Sequence, residues 1–356
     1  MKKRGMIEFE FHWVFILIAG AVIFFFFMNV VNKQKEYSDV KTSGTITTNL
    51  ESILTGAQIS TGTVNIIDIP KIDIKFECDK YSIGLISRQT RGNVIFSPGL
   101  LKGKELITWT LDWGLPYRIT NFLYLTDPQL RYIIVYEDSN YQEVASRIHR
   151  ELPKEMNKDD DLIDENQIQS VQNKNNYKVK FIFVGSPTWN PIEFPTKLQS
   201  MLDKDLTAIK IEYENAPALI PPKGTIKFMQ KRLSGWHTLG ETYYLKEESL
   251  FGAIFAEDVE MYNCVMGKAF KKASLVSNVY YERSRDLSAD YITNNVPCSS
   301  PHYDVLDILK NMEDDSMVQS NGFPTDETKI NDIDRYSDEI KAQNQRAELF
   351  SCALIY

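Results

Sequence analysis

The sequence lacks the short motifs that identify the commonest classes of enzyme. It contains no G-x-G-x-x-G for a dinucleotide, no G-x-x-x-x-G-K-[ST] for a nucleotide, no H-E-x-x-H and no G-x-S-x-G. Histidine is scarce, since the 356 residues include only 4, and none has a serine or cysteine partner at a useful spacing. We therefore assign no catalytic residue, no cofactor and no metal site from the sequence.

Basic residues are also fewer than acidic residues. Asp and Glu number 48 against 40 for Lys and Arg, which gives a formal charge of −8 and an isoelectric point near 5.3. A general nucleic-acid binder needs clustered Lys and Arg to contact phosphates, so nucleic acid is excluded as a partner. Internal repeats of solenoid length are absent as well, which excludes an array fold.

The sequence does contain a long hydrophobic run near its N-terminus. No formally charged side chain appears from Phe11 to Val31, and residues 13–28 are all apolar. A helix of this length rises about 31 Å, which matches a hydrocarbon core of about 30 Å. A buried core helix would need a polar face, which residues 18–27 lack. The run predicts one transmembrane helix, with the lipid bilayer as its partner.

We expect this run to stay in the mature protein as an anchor. A cleaved secretory signal, the main alternative, would be followed by a small-residue A-x-A site, but the sequence continues MNVVNKQKEYSD. Lys and Arg are balanced across the run, so the positive-inside rule does not set its orientation. The short first segment favours a cytoplasmic N-terminus, a single-pass topology in the cell membrane and a soluble domain outside the cell.

The residues before the run resemble a known leader. Basic residues, then Gly5 and Met6, then the carboxylate of Glu10 resemble the class III leader of type IV pilins. In that family a dedicated peptidase cuts after a glycine and leaves an acidic residue fifth in the mature chain. The resemblance implies a cut between Gly5 and Met6, with Glu10 paired to the new amino terminus of a neighbouring subunit.

The pilin-like resemblance covers about thirty residues and has departures. Glu8 adds a second carboxylate, His12 interrupts the apolar start, and the chain is long for a pilin. The alternative is that Glu8 and Glu10 lie in the cytoplasmic interface of the membrane. Over most of the chain, the stretches FEFHWVFILIAGAVI, ILTGAQISTGTVNIIDIP and SCALIY resemble uncharacterised archaeal single-pass membrane proteins. This second resemblance implies no activity.

The periodicity of the remaining sequence predicts a mixed α+β fold of the α/β type. The β-rich part rests on short alternating runs such as VNIIDIPKIDIKFEC, which are typical of half-buried strands. We divide the chain into five parts: residues 1–31, the leader and transmembrane helix; 32–60, a helix extension that fades into a spacer; 61–129, a β-rich antiparallel layer; 130–257, an α/β region with a parallel sheet of βαβ type; and 258–356, a set of C-terminal helices.

The α/β region alternates strand and helix patterns. RYIIVYEDS and YKVKFIFVG are dense apolar strands, and the helical patterns NYQEVASRIHRELPKE and PIEFPTKLQSMLD follow the first and the second. LTAIKIEY, GTIKFMQKR and FGAIFAED predict three more strands. Residues 157–176 are acidic and rich in amides, which predicts a solvated excursion with few core residues.

The C-terminal part is expected to form three helices, over residues 258–287, 300–312 and 335–350. In the first, apolar residues recur every three or four positions from Tyr262 to Tyr280. Short connections favour an antiparallel arrangement of the three helices.

The four cysteines are far apart in sequence, and no pair has the C-x-x-C spacing of a zinc or redox site. In the antiparallel helix array, Cys298 and Cys352 lie at the same end, which leaves Cys264 to meet Cys78 of the β-rich layer. We therefore predict the disulfides Cys298–Cys352 and Cys78–Cys264, as an oxidising compartment allows. The alternative is four free thiols in a cytoplasmic domain.

Polar residues at the ends of the predicted strands are the candidates for a ligand site. In open α/β sheets, ligands bind beyond the carboxyl ends of the strands. The residues at these ends are Glu137, Asp138, Gly185, Ser186, Glu257 and Asp258. Together they would bind a cation or a polar ligand. The alternative is that they serve only as turn and capping residues.

Two further features have a functional and a structural interpretation. The aromatic segment WTLDWGLPYRITNFLYL would form a recognition surface if exposed, but aromatic residues in a β-rich layer usually belong to the core. His237, in SGWHTLG, is more typical of loop packing than of catalysis.

From the sequence we expect a membrane-anchored, surface-exposed protein with a binding or structural role in a pilus-like or envelope assembly. Its protein partners would be further copies of the chain or envelope proteins. The alternative is a membrane-anchored enzyme with an α/β active site whose motif is not recognised.

Overall fold

A computed structural model describes residues 5–57, 60–70, 72–90, 92–191, 194–232, 235–324 and 327–356, without the side chains of 5–12, 36, 37, 39, 40, 42 and 57. Within these ranges the chain is a mixed α+β protein, as predicted, with 46% helix, 26% strand and three sheets. The helices are α1 Gly5–Ala57, α2 Gln142–Glu151, α3 Glu247–Phe255, α4 Val259–Thr293, α5 Ser299–Asp304, α6 Leu306–Gly322 and α7 Glu327–Leu349. The strands are β1 Val64–Asp68, β2 Ile74–Phe76, β3 Lys80–Ile83, β4 Ile86–Gln89, β5 Val94–Phe96, β6 Leu100–Leu101, β7 Glu105–Gly114, β8 Arg118–Thr126, β9 Leu130–Tyr136, β10 Ile163–Asp164, β11 Lys178–Gly185, β12 Leu206–Glu212, β13 Lys223–Arg232 and β14 Gly235–Leu245.

α1 is a single helix of 53 residues with two different surfaces. Its stretch Trp13–Lys35 is long and apolar enough to cross a membrane, and the described chain buries none of it. Farther along, Ile46, Leu50 and Leu54 repeat every four residues and form an apolar stripe that is at most 4% exposed. This stripe explains why the segment expected as a spacer is helical as far as Ala57.

The β-rich layer consists of two four-stranded sheets, in the orders β1-β7-β8-β5 and β4-β3-β2-β6. Their strands pair antiparallel as predicted, except that β5 lies parallel to β8. The apolar stripe of α1 shares one core with both sheets, including Ile74 and Tyr81 of the second sheet and Leu123 and Leu125 of the first. The C-terminal part of α1, where the buried residues extend from Ser43 to Leu54, therefore belongs to the folded domain.

The contacts of α1 show which end of this layer lies far from the apolar stretch. The helix and β1 run in opposite directions. Thr45 and Ile46, which precede the end of the helix by about three turns, line one groove with Ile69, the residue directly after β1. The chain after α1 reaches Gly62, whose N–H donates to the Thr110 carbonyl near the end of β7 (2.7 Å). The β7–β8 turn is therefore at the end of the layer farthest from residues 13–35.

α4 extends beyond that turn. Lys272 donates to Thr120 Oγ1 (3.0 Å), and the Ser277 hydroxyl is hydrogen-bonded to Tyr117 in the turn itself (2.6 Å). At a rise of about 1.5 Å per residue, the rest of α4 up to Thr293 reaches about 24 Å past Ser277. The C-terminal part of α4 thus extends beyond that end of the β-rich layer.

The α/β region forms a six-stranded sheet in the order β10-β9-β11-β12-β13-β14. The first four strands in this order are parallel, and β13 and β14 add antiparallel beside β12. Both faces are covered, which is why the parallel strands are continuous apolar runs. Val144 and Ile148 of α2 pack on one face with α3 and α4, whereas Trp189 from a loop and Leu198 from a short 3₁₀ turn cover the other.

Two element predictions in this region are wrong. Apart from residues 192 and 193, which lie outside the described ranges, PIEFPTKLQSMLD forms only short 3₁₀ turns, at Thr196–Leu198 and, from its last residue onward, at Asp203–Asp205. Pro191 and Pro195 disfavour a helix here because they restrict their neighbours and lack N–H donors. FGAIFAED is the helix α3 rather than a strand. Its consecutive buried residues hide the helical period, and periodicity alone does not separate a short buried helix from a buried strand.

The polar segment 157–176 is also more ordered than predicted. It contains β10 and a 3₁₀ helix at Glu165–Ser170. Ile163, Ile168 and Val171 are buried against the six-stranded sheet. These three apolar residues are enough to fix the segment on the sheet despite its polar composition.

The C-terminal helices are present but longer than predicted. Asp258 caps α4, since its carboxylate accepts the Met261 N–H (2.8 Å), and the helix continues to Thr293. α5 and α6 replace the single helix expected over 300–312, and α7 already begins at Glu327.

Two disulfides connect these parts. Cys78 and Cys264, whose Cα atoms are 6.1 Å apart, join the β2–β3 turn to α4. Cys298 and Cys352, 5.5 Å apart, join the start of α5 to the residues after α7. These are the two pairs that the sequence predicts.

Candidate functional site

The carboxyl ends of β9 and β11 form the switch point of the six-stranded sheet. The chain leaves β9 for α2 on one face of the sheet, and it leaves β11 for the Trp189 segment on the opposite face. Connections that diverge in this way leave a crevice between the strand ends, which is where open α/β sheets bind ligands. Glu137, Asp138, Gly185 and Ser186 meet here, as predicted for strand-end residues.

Glu137 and Ser186 tie the two strand ends together. The Ser186 N–H donates to Glu137 Oε2 (2.6 Å), and the Ser186 hydroxyl donates to Oε1 (3.0 Å). The Ser186 oxygen in turn accepts the Trp189 N–H (3.1 Å). Both carboxylate oxygens of Glu137 are therefore engaged in holding the Trp189 loop rather than free for a cation.

Asp138 and Tyr141 shape the start of α2. Asp138 accepts the Asn140 N–H (2.8 Å) in a tight turn, and the Tyr141 hydroxyl donates to the Tyr213 carbonyl (3.1 Å). Burial, followed by the negative charges of Glu137 and Asp138, raises the pKa of Tyr141. Tyr141 thus remains a neutral hydrogen-bond donor that joins α2 to the end of β12.

Glu257 and Asp258 do not belong to this site, because FGAIFAED is a helix and not a strand. Glu257 accepts the Gly99 N–H (2.7 Å) and pairs with Lys178, the first residue of β11, at the opposite end of the sheet. Burial would raise the pKa of Glu257, but Lys178 and the Gly99 N–H outweigh it and keep that pKa below its usual value. The prediction of one common carboxylate cleft is therefore wrong for this pair.

A polar cavity of about 400 Å³ adjoins the switch point. It lies between the 3₁₀ helix after β10 and the loop after β11. Its lining residues are Glu165, Asn166, Ile168, Gln169, Trp189 and Pro191. A cavity of this size is within the usual range for small-molecule sites.

Trp189 is the residue of this cavity with an unmet polar group. Its side chain is only 8% exposed, its ring meets Phe183 edge-on at 5.6 Å, and its indole nitrogen Nε1 is buried without a hydrogen-bond partner among the described residues. Buried polar groups normally have a partner, but this nitrogen is closed off from solvent, so its N–H does not open into the cavity. The sequence offered no direct signal for it, since the facing segment was interpreted as solvated.

A second, apolar groove of about 230 Å³ lies between α1 and β1. Ile46 and Leu50 of the helix face Ile67 and Ile69 there, and among the described residues that line the groove Asp68 is the only charged one. This groove belongs to the junction between α1 and the β-rich layer.

The aromatic segment of residues 109–125 is core and not a recognition surface. Trp109, Trp113, Tyr117 and Phe122 are each at most 6% exposed. Trp113 Nε1 donates to the Leu245 carbonyl (3.0 Å), which joins the first sheet to β14. The structural interpretation of these aromatics is correct.

The histidines whose side chains are described do not form a catalytic group. His149 and His302 are hydrogen-bonded to the carbonyls of Asp159 and Ala353, each at 2.9 Å. His237 is exposed on β14, paired across the sheet with Gln230. Cys78, Asp79 and Cys264 lie close enough to hold a metal, but both sulfurs are joined in a disulfide and no thiolate ligand is left.

The predicted processing site lies at the edge of the structure. The helix backbone begins at Gly5, whereas the side chains of Met6 and Glu10 lie outside the described residues. Cleavage after Gly5 therefore stays a prediction.

Comparisons with known proteins found no relationship. No protein-family model, no curated protein and no solved structure matches the chain.

Proposed function

We propose that the chain is a single-pass membrane protein with its folded domain outside the cell, where it serves as a binding or structural component of a pilus-like or envelope assembly. The observation that carries this proposal is the two-part character of α1. One stretch of the helix is apolar and uncovered, and the other is packed into the domain.

The uncovered stretch requires an apolar environment. Phe24 to Phe27 are each at least 60% exposed, and so are several of their apolar neighbours in α1. Soluble proteins rarely expose such large apolar surfaces to water, because burying apolar area contributes roughly 25 cal/mol per Å². A bilayer, or a bundle of α1 helices from neighbouring copies, would cover this surface.

The packed stretch supports the interpretation of α1 as a stalk that joins the apolar run to the folded domain. Ile46, Leu50 and Leu54 share a core with both sheets of the β-rich layer. A cut at the end of the apolar run would leave only this packed stretch attached to the domain, whereas a cut after Gly5 would leave all of the apolar run as well. The architecture is therefore compatible with pilin-like processing and with α1-mediated assembly of copies.

The two disulfides favour the outer side of the membrane. Cytoplasmic thiols are kept reduced, whereas exported domains retain disulfides. With both cysteine pairs at bonding distance, an oxidising location for the folded domain is the simpler assignment.

The test is protease treatment of intact cells that express the full chain. We expect cleavage of the folded domain without lysis, and retention of the chain in the membrane pellet after alkaline extraction. N-terminal mass analysis of the same material should give Met6 as the first residue. Protection of the domain in intact cells would overturn the proposed topology, and release into the supernatant would overturn the anchor.

A further inference from the structure

We propose that the Cys78–Cys264 bond is a site of thiol–disulfide exchange, which a dithiol opens while the Cys298–Cys352 bond stays closed. The proposal rests on the exposure of the first bond and on the two charged side chains beside it. It goes beyond the role proposed above and does not depend on a pilus-like or envelope assembly.

The two disulfides differ in their access to solvent. Cys264 is exposed on α4, and Cys78 in the β2–β3 turn is half-buried. In the other bond, Cys298 is 9% exposed and Cys352 is half-buried. A thiolate must reach a disulfide sulfur in order to attack it, so access limits the rate of exchange. Cys264 is therefore the sulfur most open to attack.

Asp79 and Lys268 place one charge of each sign beside the exposed bond. A carboxylate oxygen of Asp79 lies within 4.8 Å of both sulfurs. Lys268 follows Cys264 by one helical turn and pairs with Asp79 (3.0 Å). Its ammonium also donates to the Cys78 carbonyl and to Thr90 Oγ1 (3.1 Å). Asp79 alone would repel an incoming thiolate and disfavour an outgoing one, and Lys268 offsets this effect.

The exchange takes two steps. A thiolate of the dithiol attacks Cys264 Sγ and forms a mixed disulfide, while the bond to Cys78 breaks and Cys78 leaves as a thiolate. The second thiolate of the dithiol then attacks its own partner sulfur in the mixed disulfide and releases Cys264 as a thiolate. The dithiol ends as a disulfide that has given two electrons, and the two cysteines take up the protons that its thiols lost.

Opening this bond should leave the domain folded. The Lys268 ammonium remains hydrogen-bonded to the Cys78 carbonyl and to Thr90 Oγ1, which keeps the β2–β3 turn against α4. Ile74 and Tyr81 on either side of that turn stay in the core shared with α1. The two thiols therefore remain close together, and an oxidised dithiol can close the bond again.

The experiment is a time course of reduction of the full chain, purified in detergent without reductant. Dithiothreitol at about pH 8 is the probe, because thiols are partly ionised there. Samples are quenched with N-ethylmaleimide, and peptide mass analysis gives the labelled fraction of each cysteine. We expect Cys78 and Cys264 to be labelled about tenfold faster than Cys298 and Cys352, while tryptophan fluorescence stays that of the folded chain.

Two substitutions should change the rate in opposite directions. Asp79→Asn removes the negative charge beside the sulfurs, and we expect reduction of the bond to become about threefold faster. Lys268→Met leaves Asp79 uncompensated, and we expect reduction to become about threefold slower. Asp160→Asn is the matched control, because Asp160 is an exposed carboxylate between α2 and β10; its rate should equal that of the wild type.

Each contrary result overturns the proposal. Labelling of Cys298 and Cys352 as fast as that of Cys78 and Cys264 would show that exposure does not select one bond. A rate in Asp79→Asn equal to or below that of the wild type would overturn the role of the charges. This variant remains informative if Lys268→Met does not fold, because the Asp79 side chain is 81% exposed. Unfolding on reduction would show that the bond is structural and not a site of reversible exchange.

Discussion

Among single residues, Lys180 is a buried lysine with an altered pKa. It lies in the middle of β11, is 3% exposed, and donates to the carbonyls of Ala253 and Ala256 at the end of α3. Burial, followed by the positive charge of Lys178, lowers the pKa of Lys180 to about 7, against the opposite effect of Glu257 and Asp258. Lys180 therefore acts as a cap for α3 that titrates near neutral pH.

This pKa predicts a dependence of stability on pH. The unfolded chain, in which the lysine pKa returns to its usual 10.5, binds more protons than the folded chain between pH 7 and about 10. The free energy of unfolding should therefore rise with pH across this window because of Lys180. Urea unfolding of the wild type and of Lys180→Met should show a steeper rise for the wild type.

The matched control for this measurement is Lys75→Met, which removes an exposed lysine from β2. Its pH dependence should follow that of the wild type. A Lys180→Met variant whose stability changes with pH as the wild type does would show that Lys180 is not the titrating group.

At the scale of elements, the packed stretch of α1 connects the apolar run to the folded domain. Leu50 lies in the middle of the stripe and is 2% exposed. The substitution Leu50→Ala should lower the free energy of unfolding by about 2–5 kcal/mol, because it removes buried apolar area and leaves a cavity. Thr48→Ala, on the exposed side of the same helix, should change it by less than about 0.5 kcal/mol. Urea unfolding followed by tryptophan fluorescence measures both.

Equal effects of Leu50→Ala and Thr48→Ala would mean that the helix does not pack on the domain. In that case α1 would be a flexible tether, and the stalk proposed above would be wrong.

Some helices and strands were predictable from the sequence, and others were not. β9 and β11 were predictable because parallel strands covered on both faces are continuous apolar runs, and α4 because its apolar residues recur with the helical period. α3 was not, since seven of its residues are buried together and no polar face marks its period. The 3₁₀ turns around Pro195 follow from proline chemistry, which outweighs the apolar spacing there.

Some residues of the candidate site were also predictable from the sequence, and others were not. Glu137 and Ser186 were predictable because they directly follow strands. Glu165 and Trp189 were not, because their proximity depends on β10 pairing beside β9, a contact made by only two residues. Long-range pairings of such short strands leave almost no trace in local periodicity.

At the scale of the whole molecule, the disulfides connect parts that are distant in sequence. Non-reducing peptide mapping of the purified chain should recover Cys78 with Cys264 and Cys298 with Cys352. By the chain-entropy model, loops with sequence separations of 186 and 54 residues contribute about 5 and about 4 kcal/mol. Replacing both cysteines of a pair by serine should lower the unfolding free energy by up to these amounts.

Peptides that connect the cysteines in another pairing would contradict the arrangement of the C-terminal helices. Four free thiols in protein purified without reductant would contradict both bonds, and with them one argument for an exported domain.

The bond between Cys78 and Cys264 also determines how the molecule would carry mechanical tension. A pull between the apolar run of α1 and the far end of α4 would enter through α1 and the first strands, cross this bond, and leave along α4. Residues 79–263, which contain the whole six-stranded sheet and the polar cavity, are bypassed. Unfolding that segment would otherwise lengthen the chain by about 650 Å, at ~3.5 Å per residue. The bonded molecule would therefore lengthen far less under tension, and the six-stranded sheet with its polar cavity would lie outside the loaded path.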